Sequence, residues 1–155
     1  KDGGCLKLST KGRYGLRALI DLALYSENET VSIQSIARRQ NISDSYLEQL
    51  MRKLRSAGLI VSVRGAQGGY KLARPANEIS VGDVLRALEG SLEAVTCGGE
   101  DNSCQGADLC VTKFVWERIN SSIRDTVDSI KLSQLVEESR LMREKGQIQV
   151  QKCDN

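Results

Sequence analysis

The sequence predicts a mainly α-helical chain with one small β-hairpin, two short helices placed just before that hairpin and a long helix after it. Three observations carry the prediction. Apolar residues recur at three- and four-residue spacing along most of the 155 residues, which is the helical period. One stretch, Leu59-Ile60-Val61-Ser62-Val63, departs from that period and is rich in β-branched residues. Aromatic residues make up only 4% of the chain, so the core must be built from Leu, Ile, Val and Ala.

The elements follow in order. Ser9 or Thr10 caps a first helix running to about Ser26, with Tyr14, Ala18, Leu19, Leu22 and Ala23 on one face; Tyr14 and Tyr25 are assigned to the core. A polar break over 27–30 precedes Ser32, which caps a short helix ending at Gln40 with Ile33, Ile36 and Ala37 turned inward. Asn41-Ile42-Ser43 forms a tight turn, and Ser43 caps a third helix with Leu47, Leu50, Met51 and Leu54 on its apolar face. Gly58 stands where a helix end favours a left-handed residue. Leu59–Val63, the glycine-rich Arg64–Gly69 and Tyr70-Lys71-Leu72 read as a hairpin, which Pro75 and Asn77 close. Ser80 then caps a helix from Val81 to Leu88 that stops at Gly90. Beyond a loop of low hydrophobicity, Val115, Ile119, Ile123, Val127 and Ile130 mark a long amphipathic helix over Val111–Ile130, and a shorter one covers Ser133 to about Met142. The expected division is 6–90, 91–110 and 111–145, with flexible ends at 1–5 and 146–155.

Bulk properties exclude several classes. No apolar run approaches the ~20 residues needed to cross a bilayer. The start, Lys1-Asp2-Gly3-Gly4-Cys5, lacks the form of a signal peptide, so a cytoplasmic location and no membrane partner are expected. Histidine is absent, which removes the usual general base and the commonest nitrogen ligand for metals. With no phosphate-cradling or nucleophile motif either, the chain reads as a non-enzyme. Charge is divided unevenly. Residues 1–90 hold 14 Lys/Arg against 9 Asp/Glu, whereas residues 91–155 hold 8 against 11. A basic first part joined to an acidic second part suits a nucleic-acid-facing region with another function attached.

The short helices and their turn have the register of a DNA-binding helix-turn-helix. Ala37 is small where the helices approach, Asn41 can adopt positive φ, and Ile42, Leu47 and Leu50 seal the corner. Ser45, Tyr46, Glu48 and Gln49 project opposite Leu47 and Leu50 near the start of the second helix. Gln can read adenine with two hydrogen bonds, and Glu can accept from the cytosine amino group. Arg52, Lys53 and Arg55 lie further along, where phosphates would run. The hairpin places Arg64 beside Gly65, Gly68 and Gly69 on a slim loop that can enter a minor groove. The fold class is therefore mainly α with a small β-hairpin wing, a winged helix-turn-helix plus a long helix.

Leu8-Ser9-Thr10-Lys11-Gly12-Arg13-Tyr14, the run Ile42 to Leu50, and Val63-Arg64-Gly65-Ala66-Gln67-Gly68-Gly69-Tyr70 closely resemble the IscR-type winged-helix regulators, over about Leu6 to Leu135. The resemblance implies a homodimeric transcription regulator, with Val111–Ile130 as its dimerisation helix, acting on a palindromic operator in double-stranded DNA. It implies Ser45, Glu48 and Gln49 as base readers, Arg64 as the minor-groove residue, and a backbone approach around Ser9, Lys11 and Arg13. With Ser43, Tyr46, Arg52 and Gly65 these complete the expected DNA-contacting set.

Cysteine usage forms the other constellation. Five cysteines without an export signal argue against a disulfide framework, and Cys97, Cys104 and Cys110 fall within fourteen residues. Soft thiolates on one glycine-containing loop can converge on one centre, and their spacing admits an iron–sulfur cluster, zinc or a thiol redox switch. The resemblance implies the first: Cys104-Gln105-Gly106-Ala107-Asp108-Leu109-Cys110 and Val111-Thr112-Lys113 match the loop that holds a cluster, 2Fe–2S ahead of 4Fe–4S, in IscR-type proteins. The first cysteine gap is one residue longer here, and Lys113 stands at the position of the histidine ligand. The fourth ligand is thereby left open among Glu100, Asp101, Asp108, Cys5, Cys153, the partner subunit or an exogenous group. Cluster-donor proteins enter as partners on the same basis. The rival readings are the same regulator without metal, working through thiol oxidation or a protein partner, and an iron–sulfur carrier or scaffold.

Overall fold

The computed structural model describes residues 8–27, 29–95 and 110–146. The first helix, α1 (Thr10–Tyr25), is capped by Ser9, whose hydroxyl accepts from the Lys11 N–H at 3.1 Å. Next come α2 (Ile33–Gln40) and α3 (Asp44–Ser56), capped by Ser32 and Ser43 through the N–H groups of Ser35 and Tyr46. β1 (Ile60–Val63) and β2 (Gly69–Leu72) pair antiparallel, Ile60 opposite Leu72 and Val63 opposite Gly69. A 3-10 turn over Ala76–Glu78, not anticipated from the sequence, leads to α4 (Val81–Glu89). Here the cap is reciprocal: Ser80 Oγ accepts from the Asp83 N–H, and Asp83 accepts from the Ser80 N–H, both at 3.0 Å. The last described elements are α5 (Val111–Ser129) and α6 (Leu132–Glu144), which begins one residue earlier and ends two later than expected.

The core gathers one face from each early helix. Leu19 and Leu22 of α1, Ile36 of α2, and Leu47, Leu50, Met51 and Leu54 of α3 are fully buried. Leu59 and Ile60, Leu88 of α4, and Leu132 and Val136 of α6 join them. Each such side chain contributes about 1.5–3 kcal/mol relative to exposure, so this cluster sets the mutual orientation of α1, α2 and α3. The turn between α5 and α6 is tied to the start of α4 by backbone bonds, Val81 N–H to Ile130 O at 2.9 Å and Leu132 N–H to Ile79 O at 2.8 Å.

Two expectations change. Tyr25 is not a core residue: it is 44% exposed at the end of α1, with the Arg39 and Arg143 guanidinium groups stacked 4.1 and 5.1 Å from its ring centroid. The helical period cannot separate a buried ring from one covered by arginines. The apolar stripe of α5 also divides. Ile123, Val127 and Ile130 pack on Val81, Leu85 and Leu92, whereas Val111 and Phe114 are 87% and 65% exposed. None of the described helices is long and apolar enough to cross a membrane.

Candidate nucleic-acid interface

The corner between α2 and α3 is held by its backbone and by one buried charge. Asn41 adopts φ 54°, ψ 48°, the left-handed conformation its short polar side chain tolerates. Ile42 N–H returns to Ala37 O at 3.1 Å. On the other side of α2, Asp21 of α1 is only 1% exposed. It accepts from Arg39 Nε at 3.0 Å, from Arg39 Nη2 at 2.6 Å and from Gln40 Nε2 at 2.9 Å. Arg39 is held above its ordinary value, first by that hydrogen bond to Asp21. Arg17 Nε donates to Gln40 Oε1 at 3.1 Å, a further side-chain tie between α1 and α2.

This frame leaves the start of α3 presented outward. Ser45, Glu48, Gln49 and Arg52 are exposed, on the side away from the buried Leu47, Leu50 and Leu54. Ser43 is spent as the cap. Tyr46 is half-buried. Its ring meets Tyr14 edge-on at 6.1 Å, and its hydroxyl donates to Thr10 Oγ1 at 3.4 Å, joining the first turns of α3 and α1. The two other cations of α3 have partners within the chain: Lys53 Nζ donates to Leu88 O at 3.1 Å, and Arg55 Nη1 reaches Ser62 Oγ at 3.5 Å.

Lys11 and Arg13 are exposed in the first turn of α1. Ser9, expected beside them at a DNA backbone, is already engaged. Glu89, the last residue of α4, accepts from Ser9 N–H at 2.9 Å, Ser9 Oγ at 2.7 Å and Gly12 N–H at 2.8 Å. Burial raises the Glu89 pKa, but the Ser9 and Gly12 hydrogen bonds and the nearby Lys11 charge outweigh it, and the carboxyl sits below its usual 4.5.

The wing stands beside α3. Arg64 and Gly65 are exposed at its tip; Gly65 has φ +123°, a conformation closed to most side chains, and Gly65 O accepts from Gly68 N–H at 2.9 Å. Its root is braced by the segment before α2. Val31 and Tyr70 exchange two backbone bonds at 2.9 and 2.8 Å, and Thr30 Oγ1 donates to Gln67 O at 2.5 Å. The backbones approach so closely that a Cβ on Gly69 would lie 2.7 Å from Val31 O. Isolated bridges of this kind leave no periodic signal in the sequence, and the Val31–Tyr70 pair was not anticipated from it.

Of the cysteines, Cys110 alone is among the described residues; Cys97 and Cys104 lie outside them, as do Cys5 and Cys153. Cys110 is the N-cap of α5 and exposed. Its Sγ lies 3.0 Å from Thr112 Oγ1, and its thiol is held below the ordinary 9.0, first by the Thr112 hydroxyl and then by the N–H groups of Thr112 and Lys113. An exposed cysteine whose pKa is lowered at a helix N-terminus fits a soft metal centre. Lys113 Nζ sits 4.0 Å from Glu117 Oε1, one helical turn along α5. Ten residues along α5, Asn120 grips the chain entering the cysteine segment: Oδ1 accepts from Ala94 N–H at 2.8 Å, and Nδ2 donates to Val95 O at 2.9 Å.

Comparison with known proteins follows the same lines. Residues 8–138 match the Rrf2 family, described as an iron-dependent transcriptional regulator. The chain is 44% identical over 137 residues to the HTH-type transcriptional regulator IscR of Pectobacterium atrosepticum, covering 88% of this chain and 83% of that protein. Among solved structures it is similar to T. potens IscR, with TM-score 0.72 and 46% identity over 93% of each chain. It is similar also to CymR (YrzC), the global cysteine regulator of B. subtilis, with TM-score 0.71 and 40% identity over 86% of this chain and 98% of that one.

Proposed function

Since the chain belongs to the Rrf2 family of transcriptional regulators, and not to a family of enzymes, we propose that it is a cytoplasmic homodimeric regulator whose binding to a palindromic operator is set by an iron–sulfur cluster on Cys97, Cys104 and Cys110. One observation carries the DNA-binding part. Ser45, Glu48, Gln49 and Arg52 stand exposed on a short helix whose opposite face is fully buried, with Arg64 on a braced wing beside it. A helix presented this way can lay its first turns in a major groove while the wing arginine meets the adjacent minor groove. Glu48 and Gln49 supply one acceptor and one amide for base edges, and Lys11, Arg13 and Arg52 supply charge for phosphates.

Cys110 supports the cluster part, being exposed at the N-cap of α5 with its thiol held below the ordinary value by Thr112 and Lys113. The cluster would supply a redox-active centre open to oxidants. The proposed donor set is three cysteines, of which Cys110 is among the described residues, and Lys113, beside Glu117, is a poor substitute for an imidazole. Anaerobic reconstitution with iron and sulfide tests this: a visible charge-transfer spectrum that disappears in a Cys110→Ser variant is expected, and retained zinc with no such spectrum would overturn it.

A second reading is favoured by the likeness to CymR, since the structure of Staphylococcus aureus CymR in its oxidized form is 45% identical to this chain with TM-score 0.66. In that reading the same DNA-binding frame responds to thiol oxidation without metal. Iron content of the anaerobically purified protein separates the two. A carrier role is separated from both by the absence of salt-dependent DNA binding.

A further inference from the structure

The proposed DNA-facing surface includes the first turn of α1, yet that turn is organised by a residue 80 positions away. A helix N-terminus leaves its first N–H groups without intrahelical partners and attracts anions. In this chain the anion is internal. Glu89 Oε1 accepts from Ser9 N, Ser9 Oγ and Gly12 N, and Glu89 Oε2 lies 3.0 Å from the same Ser9 hydroxyl. The seat is built to fit: a Cβ on Gly12 would come within 2.9 Å of Glu89 Oε1 and 3.1 Å of Leu85 Cδ2.

What that turn carries makes the contact more than a cap. Lys11 and Arg13 project from it into solvent, and Thr10 accepts from Tyr46 in the first turn of α3, beside Ser45, Glu48 and Gln49. Glu89 itself ends α4, whose Leu88 carbonyl holds Lys53 of α3. Glu89 thus ties the end of α4 to the start of α1, next to the Leu88 carbonyl that ties α4 to α3. From this we infer that Glu89 is a positioning residue for DNA recognition, holding Lys11 and Arg13 at the duplex backbone and Tyr46 against α1 without touching DNA itself. The inference rests on the proposed DNA-binding face and adds a residue to it that no base or phosphate contact would identify.

The test uses the full chain and a duplex enriched from a random pool by the wild-type protein, with affinity followed by fluorescence anisotropy over a range of salt. Glu89→Ala is expected to bind at least fivefold more weakly, with a log–log salt slope shallower by about 0.9 for each phosphate that is no longer neutralised. Lys11→Ala should then cost less in the Glu89→Ala background than alone, because the ammonium is already displaced from its phosphate. Glu89→Gln, whose amide oxygen still accepts from Ser9 and Gly12, should recover part of the affinity, and it decides by the same slope criterion if Glu89→Ala does not fold. Weaker binding with an unchanged slope would reduce Glu89 to a helix cap. Unchanged or tighter binding, the behaviour of a mere repulsive charge, would overturn the inference equally. A wild-type chain that binds no duplex would instead sink the DNA-binding reading.

Discussion

Asp21 offers the sharpest test of how the reading head is held. It is a carboxylate buried to 1% exposure, paired with Arg39 through both oxygens and with Gln40 through one. Removing one partner of a fully buried pair costs about 3–5 kcal/mol, because the other charge is stranded. Arg39 is not fully buried: its side chain is 31% exposed and stacks on Tyr25, so water reaches the guanidinium once the carboxylate is gone. That relief brings the expected cost of Asp21→Ala down to about 2–3 kcal/mol, and of the isosteric Asp21→Asn to about 1–2 kcal/mol. For a chain of this length 1 kcal/mol moves the unfolding temperature by about 2–4 °C, so Asp21→Ala should unfold about 4–12 °C earlier. Circular dichroism melts at one fixed protein concentration give the number, since a dimer's midpoint shifts with concentration. A fall of less than about 3 °C for Asp21→Ala would refute the assignment of Asp21 as the buried tie between α1 and α2.

Other expectations concern the surface. Arg64→Ala should weaken duplex binding severalfold, and equal affinity at physiological salt would remove the wing from the interface; Glu48→Ala should change the sequence selected from a random pool rather than lower affinity uniformly. Phe114→Arg should shift the proposed dimer to monomer in sedimentation, and a variant that stays dimeric would show that the open face of α5 is not the dimer contact. Asp83 and Glu89 are both held below their ordinary 3.8 and 4.5, against burial, by hydrogen bonds from Ser80 and from Ser9 and Gly12. Their stabilisation is therefore complete above the ordinary carboxyl range and is lost as pH falls through it toward the lower folded values. A thermal midpoint that drops on going from about pH 6 to about pH 3, and drops less in an Asp83→Asn/Glu89→Gln variant, is the expected result.

Local grammar made most of the fold legible. Ser32, Ser43 and Ser80 each cap the helix they were expected to cap, and of Ser9 and Thr10 it is Ser9 that caps the first, because capping involves residues two or three apart. The same holds for Asn41, whose left-handed conformation follows from the tightness of the turn it occupies. What escaped the sequence is long-range. Glu89 meets Ser9 across 80 positions, Asn120 meets Ala94 and Val95 across about 25, and Asp21 meets Arg39 across 18. No period or motif announces such pairs; Asp21 reads in sequence as an ordinary polar residue between Ile20 and Leu22. The candidate DNA-reading residues were visible because they are local to α3 and the wing. The residues that hold them in place were not.

The stripe along α5 shows how one sequence pattern can serve two partners. Val115, Ile119, Ile123, Val127 and Ile130 are spaced by four or three, and a single helical period suggests a single buried face. The last three lie against Val81, Leu85 and Leu92, so only the far half of the stripe is used within the chain. Arg86 reinforces that half from α4, with Nη2 2.5 Å from Asp128 Oδ1. The near half stays open, and with Val111, Phe114, Val115 and Ile119 it presents four partly exposed apolar side chains. Covering such a set from each of two copies, at about 1–2 kcal/mol per side chain for the fraction still exposed, is worth about 8–16 kcal/mol. Association itself costs about 4–15 kcal/mol, so the face can hold a dimer but with little to spare. Removing Phe114 from both copies, and placing a charge there, should therefore be decisive where a substitution in the already buried half of α5 would only destabilise each protomer.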